Sequence, residues 1–260
     1  MRLPVPVLDR PVRLLVADLD GCVSGGPGWH FDTQLFGMLQ EYARRAETDP
    51  AVPHMTFNTG RPQPYAECMA RFAGVRHSVL CEFGLVLWEL PGRAVRLHPQ
   101  FGDSHREAHR RLLAEAERRA GPRFSIEAGK TAQATLIPRK PLATHDILAE
   151  CGEIIAAAGG GWRIDCTHAV VSFLPEHLGK GAGLRWLAEE LAIDPSEMAG
   201  VGDSGSDWEF LEPLAVSYAP ANAVPELKAR VTHVSAREAG AVMHDIFEAL
   251  IAGNRRLGVG

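Results

Sequence analysis

Long apolar runs are missing from this chain. No stretch of about 18 uninterrupted apolar residues occurs, so no membrane-spanning helix is expected. The leading MRLPVPVLDRPVRLLVADLDG carries Asp9, Arg10, Arg13 and Asp18, which break up its apolar stretch as a secretory signal would not. Cysteine is sparse and scattered. Cys22, Cys68, Cys81, Cys151 and Cys166 form no Cys-x-x-Cys pair and are odd in number, so neither a zinc site nor a disulfide framework is expected. Reduced thiols in a cytoplasmic protein are the simple expectation. A basic excess is lacking as well. The net charge of -5 and a pI near 6.1 argue against nucleic acid or an anionic membrane as partner, because both are held by basic faces. A small anion is not excluded, since a metal ion and a few local basic groups can hold one on an acidic protein. Internal repeats and low-complexity tracts are absent too.

What is present is an ordinary globular composition, 46% hydrophobic and 23% charged over 260 residues. That length suits two small domains, or one domain carrying a large insertion. Residues 12–18, VRLLVAD, read as a buried parallel strand ending in Asp-Leu-Asp-Gly. A glycine-rich loop follows, then a helix over 31–47 with Phe36, Leu39 and Tyr42 on one side. Residues 54–58 read as a second strand, Pro62 opens a second helix, and 78–81 read as a third strand. This alternation predicts a parallel α/β sheet.

The rhythm changes after residue 84. A hairpin is predicted around Pro91-Gly92, then a charged helix from Asp103 to Gly121. A second hairpin has Gly129 near its tip. A helix capped by Thr144 ends in glycines, and a strand runs over 162–175. Hairpins joined by helices predict a separate α+β unit over 85–173. From Gly179 the parallel rhythm returns, with a helix from Lys180, the strand MAGV, a short helix, the strand AVSYAP, a helix start at 222–228 and a final amphipathic helix. A core of residues 1–84 and 174–260 is therefore expected, interrupted by the inserted unit.

Four features fall where strands end, which is where open α/β sheets bind ligands. Asp18 and Asp20 flank Leu19, so two carboxylates gather at one spot. Their repulsion favours a cation or a raised pKa. One such carboxylate can attack phosphorus while the other moves a proton; taken alone, the pair fits a solvated turn equally well. Thr59 closes the second strand before Gly60-Arg61-Pro62, where a hydroxyl and helix-start amides can hold a phosphate oxygen or merely cap the helix. Lys180 opens a helix, where it can neutralise a phosphate or stand as a surface lysine. Asp203 and Asp207 in Gly-Asp-Ser-Gly-Ser-Asp are spaced to meet one hard cation, such as magnesium, or to cap a helix.

Together and in this order, the four features resemble the haloacid dehalogenase-like phosphohydrolase superfamily, most sharply at 14–21, 56–62 and 179–223. The insert, Cys81-Glu82-Phe83-Gly84, Asn222-Ala223 and Glu238 to Ala241 are similar to its Cof-like, type IIB sugar-phosphatase branch. The resemblance implies a Rossmann-like α/β core with an inserted C2-type α+β cap. It also implies a magnesium-dependent phosphomonoester hydrolase for a small phosphorylated metabolite, a sugar phosphate or a phosphorylated organic acid, as monomer or homodimer. Glucosylglycerate-type, mannosyl-phosphoglycerate, sucrose-phosphate and phosphoglycolate substrates all fit that class.

In that scheme Asp18 is the nucleophile and a magnesium ligand. Asp20 is the general acid/base and gives its carbonyl to the metal. Thr59 binds the phosphoryl group, and Lys180 holds Asp18 and the phosphate. Asp203 binds Mg2+ directly, and Asp207 directly or through water. Gly60, Arg61, Asn222, Glu127 and Lys130 are the candidates for substrate contact. His168, Trp29 and His30 are further candidates, and the helix bearing His105, Arg106, His109, Arg110 and Arg111 is expected to be a solvated face. Two departures stand out: Cys22 replaces the usual Thr, a weaker donor, and Ser206 replaces an Asn. A phosphomutase of the same architecture and a non-catalytic phosphometabolite-binding protein are the competing readings.

Overall fold

A computed structural model describes residues 3–25, 31–90, 92–167 and 169–260. Trp29, His30 and His168 lie outside the described residues. The chain begins with β1 (Leu14–Ala17), whose four apolar residues are buried on both faces. In chain order there follow α1 (Thr33–Ala46), β2 (His54–Phe57), α2 (Gln63–Ala73), β3 (Val79–Cys81), β4 (Val86–Trp88), β5 (Val95–Leu97) and α3 (Asp103–Arg119). Next come β6 (Phe124–Ile126), β7 (Ala134–Pro138), α4 (Leu148–Ala157), β8 (Trp162–Cys166) and β9 (Val171–Pro175). The last third contains α5 (Lys180–Leu191), β10 (Met198–Val201), α6 (Trp208–Leu211), β11 (Val216–Ala219), α7 (Pro225–Lys228), β12 (His233–Val234) and α8 (Ala241–Arg256).

The central sheet is parallel, in the order β12-β11-β10-β1-β2. Alternation along β1 splits its side chains between two faces. Leu15 and Ala17 join Leu39 of α1 and Phe247 and Leu250 of α8. Leu14 and Val16 join Leu184 and Leu187 of α5 and Phe210 of α6. Register matters for function: Ala17 lies opposite Phe57 on one side and Val201 on the other. The three strands therefore end level, and Asp18, Thr59 and Asp203 leave the sheet along one edge.

β3 lies alongside β2 in the parallel sense, through the bridge between Asn58 and Leu80, the Thr59 amide donating to the Leu80 carbonyl at 3.0 Å and the Thr56 hydroxyl donating to the Ser78 carbonyl at 2.6 Å. Its ladder is made with β4, with which it pairs antiparallel, and β4 pairs with β5. The 86–97 hairpin thus continues from β3. A separate antiparallel sheet runs β6-β7-β9-β8, backed by α3 and α4, whose buried Leu112, Ala116, Cys151 and Ile154 share its core. The single strand expected over 162–175 is the hairpin β8–β9, turning at Thr167, whose hydroxyl accepts from the amides of Ala169 and Val170. Thr144 is not a cap. The amide of Ala143 donates to Asp146 at 2.7 Å, and a short 3-10 turn precedes α4. The α3 face is not wholly solvated either, because His109 is buried between this helix and its sheet. Among the described residues, no helix is long and apolar enough to cross a membrane.

Candidate active site

Asp18 sits one residue past β1 and is 6% exposed. Its amide donates to the Val201 carbonyl at 3.0 Å, which carries the parallel ladder one step past the strand ends. Oxygen atoms of Asp18, Asp203 and Asp207 all lie within 4.8 Å of one another. The loop can close this tightly because residue 21 is glycine. Its φ is +86°, and a Cβ there would stand 2.0 Å from Asp203 Oδ2.

Asp207 is fully buried and organises its own loop. One carboxylate oxygen accepts from the amides of Asp203 (2.9 Å) and Ser204 (2.8 Å) and from the Ser204 hydroxyl (2.9 Å). The other accepts from Lys180 Nζ at 2.5 Å. The same ammonium lies 2.9 Å from Asp18 Oδ1. Lys180 is delivered by the first turn of α5, whose start is fixed where Asn58 Nδ2 donates to the Lys180 carbonyl at 3.0 Å. The helix approaches closely because Gly183 faces Gly84; a Cβ on Gly183 would lie 2.5 Å from the Gly84 Cα.

Burial pushes the Asp18 carboxyl up to about 7; Lys180 works against this and Asp207 and Asp20 add to it. Burial likewise raises Asp203 to about 8, helped by Asp207 and Asp18. Burial opposes the charge on Lys180, but Asp18 and Asp207 outweigh it and hold the ammonium well above an ordinary lysine. One ammonium thus faces three converging carboxylates, a set short of positive charge. All the offered atoms are hard oxygens. That donor chemistry fits magnesium, which takes oxygen ligands and keeps waters of its own. The Cys22 thiol is buried in the same loop and raised well above its ordinary value by burial and by Asp203, so it offers no thiolate.

Asp20 lies outside the carboxylate trio. Arg61 grips it in two places, Nε to Oδ2 at 2.6 Å and a second guanidinium nitrogen to Oδ1 at 2.9 Å. This bidentate hydrogen bonding holds Arg61 above its usual pKa. Arg61 also reaches Glu127 at 3.2 Å, and Glu127 pairs with Lys130 at 3.2 Å. Lys130 donates to the Gly60 carbonyl, which Gln133 Nε2 approaches at 3.4 Å. Glu127 and Lys130 are therefore not solvated loop residues. Burial lowers Lys130, against the pull of Glu127 and Glu82. Thr59 is fully buried, and its hydroxyl accepts from the Arg61 amide at 3.1 Å. Asn222 is exposed and spends its amide on the loop backbone, donating to Gly21 and accepting from Ala239, both at 2.8 Å. It braces the site. Ser206 shares a hydrogen bond with Ser204 at 3.0 Å, and burial raises the pKa of Asp165 of β8, with Ser206 lowering it.

A model of the haloacid dehalogenase-like hydrolases matches residues 142–244, the stretch that holds Lys180, Asp203 and Asp207. Over that stretch the chain is similar to this family. A Thermoplasma acidophilum protein shares the fold of this chain at a TM-score of 0.73 and 17% identity, over 93% of this chain and 99% of the other. Sucrose-phosphatase from Synechocystis, solved with sucrose and phosphate, shares it at 0.64 and 22%, over 92% and 99%. In sequence, the chain is 28% identical over 209 residues to a phosphoglycolate phosphatase of Halorubrum lacusprofundi, covering 80% of this chain and 84% of that one.

Sequence reasoning missed Thr131, Gln133 and Asp165, and named Glu82 only as part of a turn, without its contacts. Each matters through contacts between the four-stranded unit and the core, and no local pattern reports such contacts. The one available signal was a glutamate standing in an otherwise apolar strand-to-turn stretch at 78–85.

Proposed function

We propose that this chain is a magnesium-dependent phosphomonoesterase that forms an aspartyl-phosphate on Asp18. The observation that carries the reading is the meeting of the buried Asp18 and Asp207 on Lys180, with an Asp203 oxygen within 4.8 Å, beyond the level ends of β1 and β10. Asp18, Asp203 and the Asp20 carbonyl would hold Mg2+, with Asp207 acting directly or through water; the ion when bound would polarise the phosphate and cancel its repulsion from the nucleophile.

The chain's own groups do the rest. An Asp18 oxygen attacks phosphorus in line as the bond to the leaving oxygen breaks. Asp20, 28% exposed at its side chain, gives that oxygen a proton once Arg61 loosens its grip. Asp20 then takes a proton from the water that hydrolyses the acyl phosphate. Lys180 and the Thr59 hydroxyl stabilise the developing charge. Gly60 and Arg61 contribute to the substrate side of this turn.

The four-stranded unit, with α3 and α4, acts as a cap that excludes bulk water and presents Glu127 and Lys130 to the leaving group. The insertion is best bounded near residues 99 and 178, because the 86–97 hairpin pairs with β3. The substrate class is a small phosphorylated metabolite, with phosphoglycolate favoured by the names of the sequence relatives.

The test is hydrolysis of 4-nitrophenyl phosphate and phosphoglycolate by the wild type and Asp18→Asn. Wild-type turnover is expected to vanish on chelation and return with magnesium, and the variant to lose at least ~10³-fold. Unchanged turnover in Asp18→Asn would remove the nucleophile from the account.

A further inference from the structure

The turn after β3 is unusual in its backbone. Glu82 and Phe83 have φ of 50° and 60°, and Gly84 follows at 82°, three successive residues in the left-handed region. Side chains resist that conformation, so two non-glycine residues persist there only when their surroundings hold them. The holding contacts are specific. The Glu82 amide donates to the Arg61 carbonyl at 3.0 Å and the Phe83 amide to the Thr59 carbonyl at 2.9 Å. The turn is thereby fastened to the Thr59–Arg61 segment on one side, and through Gly84 it touches α5, which carries Lys180.

This backbone sends the Glu82 side chain across to the four-stranded unit, where it is fully buried. Its partners there are one short stretch of chain. The Thr131 amide lies 2.9 and 3.0 Å from its two oxygens. The Thr131 hydroxyl donates at 2.9 Å, the Ala132 amide at 2.9 Å and the Gln133 amide at 3.3 Å. Three consecutive amides converging on one carboxylate make a loop that is held by that carboxylate. Removing an acceptor from such a cluster strands several buried donors at once.

We infer that Glu82 is a positioning residue for the proposed phosphatase reaction. Its carboxylate fixes loop 127–133 above the Thr59–Arg61 turn, and so sets Lys130 and Gln133 on the Gly60 carbonyl and Glu127 on Arg61. Glu82 touches no reacting atom in this scheme. It acts through the loop, by placing Glu127 and Lys130 on the leaving-group side. The kinetic part rests on the function proposed above; the structural part does not.

The experiment compares wild type with Glu82→Gln, Glu82→Asp and Thr131→Val by amide hydrogen exchange and by kinetics on two esters. In Glu82→Gln the amides of 131–133 are expected to exchange roughly tenfold faster or more, while those of β1 and β10 keep their protection. KM for phosphoglycolate is expected to rise roughly 10- to 100-fold. Turnover of 4-nitrophenyl phosphate, whose leaving group asks little of the loop, is expected to change little. Glu82→Asp restores part of both effects, and Thr131→Val, altered at an exposed position, shows them weakly. Unchanged exchange at 131–133, exchange that rises equally in β1, or equal kinetic losses on both esters would overturn the inference. If the wild type hydrolyses neither ester, the proposed function fails, and the exchange result still decides the role of Glu82.

Discussion

At the scale of single residues, position along the chain was a good guide wherever a strand end supplied the geometry. Asp18, Thr59 and Asp203 were legible because apolar runs of similar length end just before them, and parallel register brings such ends level. Asp207 and Lys180 followed from their loop and helix start. The state of His109 was not legible, because a histidine in a charged helix reads as solvated until the face beneath it is known. Here it lies under α3, and burial lowers its pKa below the ordinary 6.5. The sign follows directly. The unfolded chain takes up this proton near 6.5 and the folded one only at lower pH, so its contribution to stability is present above 6.5 and is lost as pH falls. Urea unfolding between pH 7 and pH 5 should therefore show a flatter loss of stability in His109→Leu than in the wild type. An equal slope in both would remove His109 from the acid response.

At the scale of elements, hydrophobic period found nearly every strand and helix, since each buries a face that its sequence displays. It failed where pairing partners decide the outcome. Residues 78–81 read as another parallel strand, and β3 does meet β2 in the parallel sense, but its ladder is made with the hairpin that follows it. The 162–175 stretch is apolar enough for one strand, yet it turns at Thr167. Packing between elements also uses polar clamps that carry no sequence signature. Asn254, near the end of α8, is fully buried. It accepts from the Val12 amide at 2.8 Å and donates to the carbonyls of Val12 (2.8 Å) and Ala51 (3.0 Å). It thereby ties the last helix to the entries of β1 and β2. Asn254→Ala leaves three buried backbone groups without partners and should cost about 2–4 kcal/mol, read as a fall in the urea midpoint at constant slope. A change under about 0.5 kcal/mol would show that the clamp is dispensable.

At the scale of the whole molecule, the central sheet brings together residues from both ends of the sequence, because β1 lies between β2 and β10. The four-stranded sheet sits over the resulting edge, and the contacts of Glu82, Arg61 and Lys130 join the two. That arrangement gives the site its buried Asp18 and Asp207, the Lys180 ammonium between them, and loop 127–133 fastened beside them. The account stands on Asp18 becoming phosphorylated during turnover. The direct measurement is to quench the magnesium-loaded enzyme during turnover of a phosphate monoester, reduce it with borohydride and map the product by peptide mass spectrometry. An acyl phosphate at position 18 is converted to homoserine, and the account expects that change at Asp18 alone and only with substrate and magnesium both present. Reduction mapped to another carboxylate would contradict it.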